Sequence, residues 1–236
     1  MLNSYFDRWG KRIREDLTDH KGQMVNPCYE DCLDLLATAR DHRSVFSSKS
    51  ELAERVVILV HPFYLLLTCP ACPSTEAQIA DAREYYTGLK KIVAARRTHS
   101  EISLIIFESL PHYAAASSLL LEQGSVDDVV FTRNNSGYLL ERSDLFRLRG
   151  KELMLCGGYN RRCFTSAMVD TLEVCKGDAK SISVIEGMVL DSPHDRLGGL
   201  TTRRENLETS LRVYPHLDGK CMGILRFDDA LSLLNR

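Results

Sequence analysis

The chain has 236 residues, 44% of them hydrophobic and 26% charged, with a formal net charge of −2. That is ordinary globular composition, and a chain of this length buries a sizeable core without disulfide or metal staples. No global field would draw nucleic acid or an anionic membrane, and local pairs such as Arg96–Arg97, Arg161–Arg162 and Arg203–Arg204 are too small to reverse that.

Residues 1–54 read as a helical cap. Leu2, Phe6, Trp9, Ile13 and Leu17 recur at spacings of three to four, and Cys28, Cys32, Leu35 and Leu36 make a second such face after Pro27. The opening segment mixes Tyr5, Phe6 and Trp9 with Asp7, Arg8 and Lys11, unlike the uninterrupted apolar stretch of a secretion signal. The longest apolar run, Val56 to Leu67, is interrupted by His61 and Pro62 and falls short of the roughly 20 residues needed to cross a bilayer. A cytoplasmic location is expected, and with it eight reduced cysteines.

Residues 55–192 alternate strand and helix. Strands are expected at Val56–Val60, Ile102–Phe107, Val129–Thr132, Leu153–Cys156 and Ile182–Ile185. Helices are expected at Ser74–Arg97, Tyr113–Gln123, Ser143–Leu148 and Arg161–Cys175, with Ser74 and Asn160 as caps. Such alternation implies right-handed βαβ crossovers and a three-layer α/β/α sandwich on a mostly parallel, Rossmann-like sheet. Residues 193–236 read as an extension: a helix near Thr202–Arg212, an edge strand near Cys221–Arg226 and a last helix near Asp228–Leu234. With no repeat and no linker, residues 1–236 are expected to form a single domain.

Ligands of open parallel sheets bind outside the carboxyl ends of the strands. The polar residues there are His61, Glu108 and His112, Arg133, then Gly157, Gly158, Asn160, Arg161, Arg162 and Cys163. Gly157 and Gly158 let the backbone leave the strand sharply, and Asn160 is placed to cap the next helix. Cys163 would then sit in the first helical turn, where free N–H groups, the helix dipole and two arginines lower a thiol's pKa. The alternative is a thiol packed inertly on the sheet beside Phe164, Met168 and Leu172.

The stretch Glu152–Asp170, ELMLCGGYNRRCFTSAMVD, resembles the cysteine-bearing turn of the isochorismatase-like hydrolases. In that family a strand ends in Gly, a nucleophilic Cys follows six residues later and an Asp lies seven positions further on; Gly157, Cys163 and Asp170 match. Ser136-Gly137-Tyr138 and Ser143-Asp144-Leu145 resemble the segment between the family's catalytic lysine and this strand. The departures are at the other catalytic positions. His61 stands where the family has its general-base Asp, and Thr132 or Arg133, depending on one gap, stands where it has Lys. Glu108-Ser109-Leu110-Pro111-His112 does not reproduce the metal motif of the nicotinamidase branch.

The resemblance implies either a cysteine-dependent hydrolase of a small amide, ester or imine, or a domain without catalysis that binds an anion or a protein partner. In the first case Cys163 attacks, His61 or His112 carries the proton and Glu108 orients the histidine. In the second Gly157, Gly158, Asn160, Arg161, Arg162 and Arg133 hold an anion at a helix start. No cofactor and no metal are expected, although Cys28, Cys32, Cys69 and Cys72 leave a zinc site open and the Cys69-Pro70-Ala71-Cys72 motif admits a thioredoxin-like reading. The expected partner is a small molecule, with self-association left open and neither nucleic acid nor membrane foreseen.

Overall fold

The computed structural model describes residues 51–62, 76–109, 126–132, 136–139, 142–175, 177–191, 204–212 and 222–235. Six strands form one sheet: β1 (Arg55–Val60), β2 (Ile102–Ser109), β3 (Asp128–Thr132), β4 (Glu152–Gly157), β5 (Ser181–Ile185) and β6 (Met222–Leu225). Every pairing is parallel, in the order β3-β2-β1-β4-β5-β6. The edge strand expected near residue 221 is β6, paired with β5.

The sequence of the central strands explains their place. Val56 to Val60 and Leu153 to Gly157 are buried at every position, so both faces of β1 and β4 are covered. Continuous apolar runs of this kind suit the middle of a parallel sheet rather than a half-solvated one. Val60 pairs with both Phe107 and Gly157, so β1 and β4 end level while β2 runs two residues further, to Ser109.

Four α-helices are described: α1 (Glu76–Thr98), α2 (Cys163–Cys175), α3 (Arg204–Arg212) and α4 (Phe227–Leu234), with a 3-10 helix over Arg142–Leu148. The chain moves outward from β1 to β2 through α1, and in the opposite direction from β4 to β5 through α2. Right-handed crossovers of opposite sense place these helices on opposite faces. Accordingly α1 packs with α4, and α2 with the 3-10 helix. This is the expected three-layer sandwich.

A buried ion pair fixes the tilt of α1. Arg96 donates from Nε and Nη2 to the two carboxylate oxygens of Asp127, both at 2.6 Å. Asp127 also accepts the Leu104 amide at 2.8 Å. The last turn of α1 is thereby held at the amino ends of β2 and β3. Tyr85, eleven residues earlier on a helix running against the strands, lies about 16 Å toward their carboxyl ends at 1.5 Å per residue.

Residues 1–50 of the helical cap expected over 1–54, the helix at Tyr113–Gln123, the Cys69–Cys72 motif and Cys28, Cys32 and Cys221 lie outside the described residues, and residues 51–54 are not helical. So do two of the candidate site residues, His112 and Arg133, and the expected cap Ser74. Among the described residues no helix is long and apolar enough to cross a membrane.

Candidate functional site

The strand order reverses between β1 and β4, and the crevice outside their carboxyl ends is the switch point where open α/β sheets bind ligands. His61 lies on one side of it and Gly157–Cys163 on the other. Gly157 has φ +81°, and a Cβ there would collide with the Val60 carbonyl. The absence of a side chain lets the two strand ends close on each other. A Cβ on Gly158 would meet Cys163 Sγ and Val60 Cγ1, each at 3.2 Å, so the thiol sits against the end of β1.

The turn after β4 is tied to the chain after β5. Asn160 N donates to Leu190 O at 2.7 Å, and Leu190 N donates to Gly158 O at 3.0 Å. Arg161 follows with φ +60°, a left-handed conformation, and α2 begins two residues later at Cys163 rather than at Arg161. The Asn160 side chain does not cap α2 as expected. Its Oδ1 accepts the neighbouring Arg161 amide at 3.0 Å, while its buried Nδ2 has no hydrogen-bond partner among the described residues.

Cys163 is the first residue of α2, as its sequence position suggests, and is buried. The Tyr159 amide donates to its Sγ at 3.2 Å. The amides of Phe164 and of Cys163 itself also favour the thiolate, as does the Arg162 charge. Burial outweighs them all and raises the thiol above its ordinary range. The expectation of a lowered pKa is therefore corrected. Arg161 and Arg162 point to solvent, where the helix start leaves them, and high-dielectric surroundings blunt their effect.

At the turn expected to cradle an anion, Gly157 N bonds Met188 O, Tyr159 N the thiol, Arg161 N Thr165 Oγ1, and Arg162 N and Phe164 N the Tyr159 carbonyl. Arg161 and Arg162 are exposed beside it.

His61 is buried at φ +43° directly before Pro62, a strained conformation for a non-glycine residue. Its amide donates to Phe107 O at 2.8 Å, and its Nε2 lies 2.8 Å from Thr132 Oγ1. Thr132 Oγ1 donates to Glu108 O at 3.3 Å. In the tautomer in which the hydroxyl proton goes to that carbonyl, Nε2 carries the proton toward Thr132 and the imidazole lone pair is on Nδ1. Desolvation pushes the His61 pKa down to about 4, so the ring is neutral at neutral pH.

Asp170 anchors the segment leading to the site. Its Oδ2 accepts the Leu139 amide at 2.8 Å and its Oδ1 pairs with Arg142 at 2.6 Å. Leu139 bridges Thr132, and Gly137, at φ +82°, packs so closely on the Cys163 backbone that a Cβ would collide with its carbonyl. Asp170 thus positions residues 136–139 over Cys163.

Tyr85 was not foreseen as a site residue. It is wholly buried, donates its hydroxyl to Pro62 O at 3.1 Å, and lies within electrostatic reach of Cys156, Cys163, Tyr159 and Glu108. Its place among the apolar contacts of α1 concealed it. The available signal was chemical, since a buried tyrosine hydroxyl needs a polar partner. Glu108 is also fully buried, level with His61 at the end of β2. A separate cavity of about 330 Å³ between α1, α4 and the loop after β5 is lined by Glu84, Lys91, Met188 and Phe227 among others. None of the expected site residues lines it. No cluster of three or more metal-ligating side chains occurs among the described residues.

No protein-family model matches the chain, and no curated protein matches it. Among solved structures it is similar to an isochorismatase-like hydrolase from Alkaliphilus metalliredigens, at 13% identity and TM-score 0.46 over 77% of this chain and 99% of the other. It is similar to a cysteine hydrolase from Pseudomonas syringae pv. phaseolicola 1448A, at 12% identity and TM-score 0.45 over 80% and 98%. It is also similar to the MAR1 ribonuclease from Caenorhabditis elegans, at 11% identity and TM-score 0.47 over 79% and 84%. At these identities the chemistry of the site has to be read from this chain's own residues.

Proposed function

We propose that this chain is a cysteine hydrolase of isochorismatase-like type, acting on the carbon of a small amide, ester or imine. Cys163 is the nucleophile and His61 the proton acceptor. The observation that carries this reading is the Tyr159 amide, which donates to Cys163 Sγ at 3.2 Å at the start of α2. A thiol that only fills space needs no such donor.

The thiol lies above its ordinary value near 9.0 and the imidazole near 4. Moving the proton from sulfur to the imidazole is therefore uphill, and no ion pair forms at rest. The transfer becomes easier once a substrate changes the electrostatics around Sγ. In this mechanism the proton goes from Cys163 to His61 Nδ1 as sulfur attacks, and His61 returns it to the leaving group. The Thr132 hydroxyl holds the tautomer and the ring orientation.

A domain without catalysis is the second reading, favoured by the burial of both Cys163 and His61. Acylation separates the two. With p-nitrophenyl acetate the proposal expects a burst of nitrophenolate and an acetyl group mapped by mass spectrometry to Cys163, absent in Cys163→Ala. Acetylation elsewhere, or none on the folded protein, overturns it.

A further inference from the structure

The chain turns sharply where β1 ends. In an extended conformation His61 would follow the alternation of β1 and stand on the face opposite to Val60. At φ +43° it leaves that alternation, so the turn sets the direction of the imidazole. A left-handed residue other than glycine is strained, and the following Pro62 restricts it further. Such a conformation persists only where its surroundings hold it.

The sheet holds the amino side of the turn and the ring. His61 N donates to Phe107 O, and Nε2 meets Thr132 Oγ1, both at 2.8 Å. The carboxyl side is held from the helical layer. Tyr85 on α1 donates its hydroxyl to Pro62 O at 3.1 Å, and both residues are buried. The pyrrolidine ring fixes φ at Pro62, so an anchor on its carbonyl carries back to His61 through few free torsions. Tyr85 in turn is placed by its helix. Tyr85, Leu89, Ile92 and Arg96 recur along one buried face of α1, and the Arg96–Asp127 fork ties the far end of that face to the sheet.

We infer that Tyr85 is a positioning residue for the proton acceptor: its hydroxyl, through Pro62, holds His61 in the left-handed turn that aims the imidazole. The inference rests on the reading of His61 as that acceptor. The aromatic ring of Tyr85 serves packing, and its hydroxyl serves the turn.

Tyr85→Phe in the full chain removes the hydroxyl and keeps the ring. Nitrogen NMR of the His61 imidazole should show its signals displaced toward a mixture of tautomers. With p-nitrophenyl acetate, turnover of the acetyl group at Cys163 should slow by about tenfold or more, because proton transfer is sensitive to misplacement of about 1 Å. A weaker donor at the same place, 4-aminophenylalanine at position 85, should give intermediate values of both. Leu89→Ala, one turn further along the same buried face, should leave the imidazole signals where they are. Unchanged signals in Tyr85→Phe, or an equal displacement in Leu89→Ala, overturn the inference, since the hydroxyl then merely satisfies a buried carbonyl. Unchanged turnover in Tyr85→Phe, where His61→Asn is impaired, overturns it as well. If the wild type forms no acetyl-Cys163, or His61→Asn turns over as fast as wild type, the hydrolase reading fails instead, and the imidazole signals alone decide whether Tyr85 positions His61. Should Tyr85→Phe not fold, the 4-aminophenylalanine protein is compared directly with wild type. The same signals should then be displaced, and undisplaced signals overturn the inference.

Discussion

His61 Nε2 and Thr132 Oγ1 meet at 2.8 Å across the end of β2, joining two strands that are not neighbours in the sheet. Burial keeps the imidazole neutral, so the link between these strand ends joins two neutral groups.

His61 makes stability depend on pH. Its folded value near 4 lies below the ordinary 6.5, so the unfolded chain takes up the proton first as pH falls. The stability is fully present above about pH 6.5 and is lost progressively down to about pH 4, with about 3 kcal/mol at stake from this group. Carboxylates titrate in the same range, so the informative quantity is a difference. Urea unfolding of wild type and His61→Asn at pH 7 and pH 4.5 should show a smaller loss in the variant by about 2 kcal/mol. Asn is chosen because it tolerates the left-handed backbone at this position. Equal losses would show that His61 is not held neutral by burial.

Thr132→Val keeps the shape of the side chain and removes the hydroxyl. It should cost about 1–2 kcal/mol through the lost partner of a buried imidazole. Nitrogen NMR should show Nε2–H as the dominant tautomer in wild type and a mixture in the variant. A mixture already present in wild type would remove Thr132 as the group that selects the tautomer.

Gly157→Ala should be severe. The φ of +81° disfavours any Cβ, and this one would strike the Val60 carbonyl. Strain of this kind costs of order 1–3 kcal/mol even before the collision is counted. Denaturant midpoints should fall for both variants, and clearly further for Gly157→Ala than for Gly177→Ala. The latter shares the positive φ, but a Cβ there meets no atom within 4 Å.

The rate of Cys163 alkylation by a neutral reagent should keep rising with pH past 9, because burial raises its pKa. The lowered pKa that the sequence position suggested would instead give a fast reaction already near neutral pH. Arg162→Ala should slow the reaction slightly through the lost charge, and Arg161→Ala should leave it unchanged. A plateau below pH 8 would contradict the dominance of burial.

Arg96→Leu leaves the Asp127 carboxylate buried without its bidentate partner. Losses of about 3–5 kcal/mol follow when one half of a buried pair is removed. Arg96→Lys should recover part of that loss, since an ammonium cannot reproduce the fork. Differential unfolding of the two variants measures it, and an Arg96→Lys variant as stable as the wild type would show that the fork geometry contributes nothing.

The sheet was legible because its central strands are continuous apolar runs and its helices fall regularly between them. Val56–Val60 and Leu153–Cys156 could hardly be anything but buried parallel strands. The start of α2 was misplaced by two residues because Arg161 enters a left-handed conformation that favours glycine and gives no sequence signal in arginine. The fate of the thiol was illegible for a different reason. Helix position and neighbouring arginines are local, whereas burial comes from Gly137 and Val60, distant in sequence. Tyr85 was hidden by the same logic, because the groups around its hydroxyl come from β2, β4 and α2.

The bonds from Gly157 to Met188, from Asn160 to Leu190 and from Leu190 to Gly158 extend the β4–β5 ladder past the ends of both strands. Residues 188–190 therefore answer to spacing more than to side-chain identity. Replacing Val189 by another apolar residue should leave the turn in place. Inserting or deleting one residue there would shift every partner by one and carry Cys163 with it. Divergence in this stretch is therefore open to substitution and closed to changes of length.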